Sequence, residues 1–127
     1  MPRVIPNATA AADRPAVLTK ATLQAARRLG VINKVLAKVL GLSEATISRM
    51  QNGKYTLDPE DKSFELAVLF VRLYRSLDAI VGGDDAVAAA WLKNRNTALA
   101  REPLTLIQTA SGLMNAIAYL DARRALL

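Results

Sequence analysis

The sequence contains no cysteine and no histidine. The first absence excludes disulfides, thiolate metal centres and cysteine nucleophiles; the second excludes imidazole ligands and histidine general bases. Most hydrolase and metalloenzyme chemistries are removed before any motif is considered. Aromatic residues are scarce, at one Trp, three Tyr and two Phe in 127 residues. Ala and Leu are plentiful instead, a balance that favours helices over a β-sandwich or barrel. Long apolar runs are also missing: a strongly apolar stretch such as Ala67 to Val71 falls far short of the roughly 20 residues that span a bilayer. Met1 to Asp13 contains Pro2 and Pro6 and lacks the apolar core of a secretory signal, so a cytoplasmic protein is expected.

What is present describes an ordinary globule. The chain is 52% hydrophobic and 22% charged, too apolar for a disordered protein and long enough for one compact domain or a small domain with an appendage. The net charge is +6 and is unevenly spread. Residues 1–62 carry ten basic and five acidic side chains, whereas residues 63–127 carry seven and six. A basic first half beside a near-neutral second half points to a polyanion-facing surface on the first half only.

The pattern predicts an all-α protein of about seven helices in four segments. Residues 1–14, with two prolines and no apolar periodicity, read as a flexible N-terminal arm. Residues 15–61 read as a helical bundle: a helix opening at Pro15 and stopping at Gly30, a second from about Ile32 to Leu40 stopping at Gly41, and a third behind Ser43 as N-cap. Residues 62–82 hold a helix apolar on nearly every side, through Phe64, Leu66, Ala67, Leu69, Phe70, Leu73 and Leu77. Such a helix is either central to the core or covered by a second copy of the chain, and a homodimer is the favoured expectation. Residues 83–127 read as a small helical domain: Asp84 caps a short helix, Pro103 opens another, and a last helix follows Thr109 with Leu113, Ala116, Ile117 and Leu120 facing inward.

The strongest local signal lies between Asn33 and Asn52. A helix-turn-helix needs a small residue inside its first helix, a glycine where the turn adopts positive φ, and apolar residues that glue the helices together. Ala37 is the small residue, Gly41 the turn, and Leu36, Leu40, Leu42, Ile47 and Met50 the glue. The residues left facing outward on the second helix are Ser43, Glu44, Ala45, Ser48, Arg49 and Asn52. Arg49 suits guanine and Asn52 adenine or phosphate; Ser43 and Ser48 reach backbone or base edges, Ala45 touches a thymine methyl, and Glu44 either accepts from cytosine or, the favoured reading, suits the helix N-terminus. Lys54, with Lys34, Lys38, Arg27 and Arg28, supplies candidate phosphate contacts.

No catalytic constellation can be assembled. Asp84-Asp85 and the group Asp58, Glu60 and Asp61 lack a third spaced ligand and read as caps and loop solvation. Gly82-Gly83 lacks the Lys-Ser or Lys-Thr of a phosphate loop. Neither enzyme activity nor a metal or cofactor is expected.

The run Ala45 to Gly53 resembles the recognition-helix region of Xre-type repressors. Further on, Trp91-Leu92, Asn96, Ala98-Leu99, Pro103-Leu104, Leu106-Ile107, Thr109, Gly112 and Tyr119-Leu120 resemble the toxin-binding domain of Xre/MbcA/ParS antitoxins. Together the resemblances cover residues 18–122. As side chains, Trp91, Leu106, Ile107 and Leu120 read as core, Asn96 as a turn cap, and Gly112 as a site of close helix packing. The resemblance implies a non-catalytic antitoxin of a type II RES–Xre system. It would bind a cognate RES-domain toxin, an enzyme that destroys NAD⁺, by occluding its active-site cleft or by holding it closed, and repress the operon through operator DNA. The tail supplies Arg123, Arg124, Leu126 and Leu127 as candidate toxin contacts. Two alternatives stay open: a stand-alone dimeric repressor without a toxin partner, and a helical adaptor that does not bind DNA.

Overall fold

The computed structural model describes the backbone of residues 6–126 and the side chains of residues 13–126. Over that range it is all-α, with helices α1 (Pro6–Leu29), α2 (Asn33–Leu40), α3 (Glu44–Gln51), α4 (Lys62–Ile80), α5 (Asp85–Lys93), α6 (Pro103–Leu106) and α7 (Ala110–Arg124). The one β feature among the described residues is an isolated bridge between Asn96 and Arg101. No helix among them is long and apolar enough to cross a membrane.

The first helix corrects the reading of residues 1–14 as an arm. Residues 1–5 lie outside the described range, but residues 6–14 form the opening turns of α1, and Pro15 sits inside the helix rather than at its start. Ala8, Ala10, Ala11 and Ala12 have the highest helix propensity of any residue, and a proline removes one backbone hydrogen bond without ending every helix that contains it. Beyond the proline, Thr19 and Thr22 donate back to the carbonyls of Pro15 and Leu18, each at 2.7 Å. The Thr19 hydroxyl also accepts from the Leu57 amide at 3.0 Å, which fastens the connection before α4 onto α1 and seats Leu57 in the core.

The long apolar helix is α4, and the chain itself covers most of it. It packs against α1, α2, α5 and α7, most extensively against α7. Ala67, Phe70, Leu73 and Leu77 have no exposed surface. Burial of a side chain the size of Phe70 or Leu73 contributes about 1.5–3 kcal/mol, so this helix is the main source of cohesion between the two halves of the chain. Leu66, Leu69 and Tyr74 pack at its margins, and Val68 is the one large apolar residue of α4 left substantially exposed.

Helix ends follow the chemistry of their caps. The hydroxyl of Ser43 accepts from the Thr46 amide at 3.1 Å, the Asp84 carboxylate from the Val87 amide at 3.2 Å, and the Thr109 hydroxyl from the Gly112 amide at 3.1 Å. Pro103 stands at the start of α6, where its missing N–H is harmless.

Candidate functional site

Helices α2 and α3 form the reading head. At their junction Gly41 has φ 70°, a conformation that favours glycine, and its amide closes onto the Ala37 carbonyl. Leu36, Ala37, Leu40, Ile47 and Met50 are buried together and Leu42 partly so; this is the glue the sequence pattern requires. A contact invisible in that pattern adds to it. The amides of Asn33 and Gln51 bond reciprocally, at 3.1 and 3.0 Å, and tie the start of α2 to the end of α3.

The packing leaves one side of α3 free. Ser43, Glu44, Ala45, Ser48, Arg49, Asn52 and Lys54 are all exposed, while Thr46, Ile47 and Met50 turn inward. Thr46 is more than filler. Its hydroxyl pairs with that of Ser43 at 2.9 Å and accepts from the Arg49 guanidinium at 3.0 Å. The side chain expected to read guanine is thus held along its own helix, ready to swing outward by rotation about its χ angles.

The surrounding cations divide. Lys34 and Lys38 are exposed on α2, and Arg27 borders a small recess with Asn33 and Gln51, beside the end of α3. Arg28 points elsewhere: its guanidinium donates to the Tyr74 hydroxyl at 3.2 Å. That bond, helped by the Tyr74 charge and by the carboxylates of Asp85 and Asp78, raises the guanidinium above its ordinary range. Arg27 therefore belongs to the reading-head side and Arg28 to the packing of α1 on α4 and α5, a distinction that adjacency in sequence conceals.

The second half is built around a sharp corner between α6 and α7. Gly112 sits so close to the Leu106 carbonyl that a Cβ at this position would overlap that oxygen. The loop before α6 is organised by Asn96, whose carboxamide accepts from the Leu99 amide and whose own amide donates to the Arg101 carbonyl, both at 3.1 Å. Ala100 in this loop is the one non-glycine with positive φ among the described residues, at 66°. Ile107 and Leu120 are fully buried, as expected of core residues. Leu106 is only half-buried, a correction to its reading as core, whereas Trp91, also half-buried, packs against the margin of the core. Helical spacing shows that Trp91 shares a face with apolar neighbours but not whether another element covers it. Its ring also stacks on Tyr119, with centroids 6.2 Å apart and planes 16° from parallel.

The tail residues also diverge. Arg123 lies over the Tyr119 ring, 6.0 Å from its centroid, and donates to its hydroxyl at 3.4 Å. Arg124 turns the other way and donates to Ser76 of α4 at 3.4 Å. Leu126 is 82% exposed, and Leu127 lies outside the described residues. On the side that Arg124 faces, a groove of about 670 Å³ runs between α1, α4 and α7. It is lined by the apolar Val17, Leu18, Phe64 and Val68 and by the charged Asp13, Arg14, Arg72, Arg75, Asp121 and Arg124.

Fold and exposed helix together define a helix-turn-helix protein carrying a second, helical domain. Two family models match the chain. The antitoxin Xre-like helix-turn-helix domain matches residues 8–72, and the antitoxin Xre/MbcA/ParS C-terminal toxin-binding domain matches residues 76–125. The first covers more than half of the sequence, and the chain belongs to the Xre-type antitoxin family. A comparison with curated proteins finds no match. The two matched segments meet inside α4, so the helix that unites the core also joins the domains.

Proposed function

We propose that this antitoxin neutralises a RES-domain, NAD⁺-degrading toxin of a type II system by occluding its active site, and represses its own operon through α3. It does so as a cytoplasmic, non-catalytic protein. The observation that carries the reading is the pairing of a correctly built helix-turn-helix with a matched toxin-binding domain on one rigid helix. On the DNA side, Ser43, Ala45, Ser48, Arg49 and Asn52 face the base edges and phosphates of the major groove, Glu44 favours the N-terminus of α3, and Lys54, Lys34, Lys38 and Arg27 contact phosphate. On the toxin side, contacts come from the C-terminal domain, with Arg123, Arg124, Leu126 and Leu127 of the tail among the candidates.

A single reading head supplies only about 1–3 kcal/mol of discrimination per bidentate contact and is rarely enough, and two copies related by a twofold axis double the contacts and fix a palindromic site. The exposed valines of the α1–α4–α7 groove, Val17 and Val68, supply the apolar surface through which two copies pair.

The test is to co-express this chain with the product of the gene beside it, in a host where that product alone arrests growth, and to measure cellular NAD⁺. Restored growth with NAD⁺ preserved, and a complex that co-purifies, is the expected result. If growth is not restored and no complex forms, the neutralisation reading is wrong and a stand-alone repressor remains.

A further inference from the structure

The half-buried Trp91 and Tyr119 pack against the margin of the core and leave part of their surface open to solvent. Val87 lies one helical turn before Trp91 on α5 and is half exposed. Tyr119 and Arg123 occupy the same relationship on α7. The Trp91–Tyr119 stack joins the two helices, and the Arg123 guanidinium caps the tyrosine ring from outside. The result is an apolar shelf of two rigid aromatic rings and a valine, edged by one positive charge. Among the described residues Arg123 has a hydroxyl and a ring as partners but no carboxylate.

Each component suits a protein contact. Trp, Tyr and Arg are the residue types that dominate the binding energy of interfaces, because they offer large contact areas with few rotatable bonds or a planar fork of donors. Here the stack fixes the rings before any partner arrives, which lowers the ordering cost of association. A guanidinium already bonded to a neutral hydroxyl keeps its charge available, and a carboxylate arriving from a partner would make the stronger, charge-assisted bond. The shelf lies wholly within residues 76–125, the segment matched to a toxin-binding domain. The adjacent Arg124 is drawn to the opposite side of α7 by Ser76, and so cannot serve the same contact without leaving its partner.

We propose that the Val87–Trp91–Tyr119–Arg123 shelf is the centre of the toxin interface. It receives an apolar patch of the toxin on the two rings and a toxin carboxylate on Arg123. The proposal rests on the antitoxin reading and places the main contact on the face between α5 and α7 rather than in the last residues of the tail.

Trp91 is the only tryptophan of the chain, so it reports on its own site. The full-length protein is titrated with the product of the neighbouring gene, and Trp91 emission and iodide quenching are followed. A parallel titration with Trp91→Phe corrects for tryptophans of the partner. Binding is expected to shift Trp91 emission to the blue and to protect it from iodide. Arg123→Glu and Val87→Asp, both at exposed positions that leave the core intact, are expected to weaken the complex about thirtyfold or more, the range of an interface hot spot. Arg95→Glu imposes the same charge change at an exposed residue of the same domain outside the shelf and is expected to alter affinity by less than about threefold. A wild-type complex in which Trp91 stays open to iodide, or which tolerates Arg123→Glu and Val87→Asp, overturns the shelf while leaving the antitoxin reading intact. Failure of the wild-type chain to form any complex overturns both.

Discussion

Arg72 of α4 and Asp121 of α7 form an ion pair across the most extensive helix contact of the fold. The same carboxylate accepts from the buried Ser76 hydroxyl at 2.9 Å, and Ser76 in turn accepts from Arg124 at 3.4 Å. The side chains of Arg72 and Asp121 are 57% and 35% exposed, so the ion pair contributes at most about 1 kcal/mol. The bond to Ser76 is better shielded and contributes a further 1 kcal/mol or so. Asp121→Ala is therefore expected to lower unfolding stability by about 1–2 kcal/mol in urea denaturation, with Asp121→Asn losing less because it can still accept from Ser76. Equal losses for the two variants would show that the charge, and not the hydroxyl contact, holds the seam.

The α6–α7 corner makes a sharper prediction. In an ordinary helix Gly→Ala stabilises by up to about 1 kcal/mol. At Gly112 the added methyl would collide with the Leu106 carbonyl, backbone that cannot move without reopening the corner. Steric cost wins, and Gly112→Ala is expected to destabilise the protein by about 1–3 kcal/mol or more, the usual range for overpacking. A rise in melting temperature would show that the corner is more compliant than its geometry implies.

Reading these elements from sequence succeeded where the determinants are local. Gly41, Ser43, Asp84, Pro103 and Thr109 each specify a turn or cap through their own backbone or side-chain chemistry, and each stands where that chemistry places it. The glue of the helix-turn-helix was legible for the same reason, since spacing within two short helices determines which side chains meet. Determinants that depend on distant chain were not legible. Nothing in the local pattern distinguishes Arg27 from Arg28, because what separates them is Tyr74, far along the sequence. The exposure of Trp91 depends on where α7 carries Tyr119. The start of α1 was hidden differently, by prolines that outweighed an alanine-rich stretch in the reading but not in the fold.

Ser43 separates folding from DNA contact. It caps α3 and is exposed toward the side where DNA would lie. Ser43→Asp preserves the cap, since aspartate serves as well as serine there, but brings negative charge to a phosphate-facing position. The expected outcome is unchanged thermal stability with operator affinity reduced at least about tenfold in a gel-shift or anisotropy assay, because a carboxylate there repels the phosphates the reading head must approach. Ser43→Ala, by contrast, should lose about 1 kcal/mol of stability by removing the cap. Retained affinity in Ser43→Asp would move the reading head's contacts further along α3.

A double substitution, Ser48→Ala with Arg49→Ala, tests the division of labour between the two halves. Both side chains are exposed, and the bond of Arg49 to Thr46 is partly open to solvent, so the fold should persist. Loss of a bidentate arginine removes about 1–3 kcal/mol at each half-site, enough with two heads to abolish specific operator binding at physiological salt. Neutralisation of the toxin should be unaffected. Loss of neutralisation with operator binding retained would contradict the assignment of the two tasks to separate domains.

Pairing of two copies is tested at the α1–α4–α7 groove. Val68 is 47% exposed and Val17 64%, so a charge at either site enters no core and should leave the monomer folded. If two copies meet there, Val68→Lys adds a cation on each side of a groove already lined by Arg14, Arg72, Arg75 and Arg124, a like-charge repulsion of several kcal/mol across the interface. Sedimentation should then show a monomer where the wild-type chain is a dimer. Operator affinity should fall toward that of a single reading head, although every residue of α3 is intact. The variant thus mimics the Ser48→Ala, Arg49→Ala phenotype on DNA through a surface remote from it in sequence. An unchanged dimer would place the twofold axis elsewhere and leave the groove to another partner.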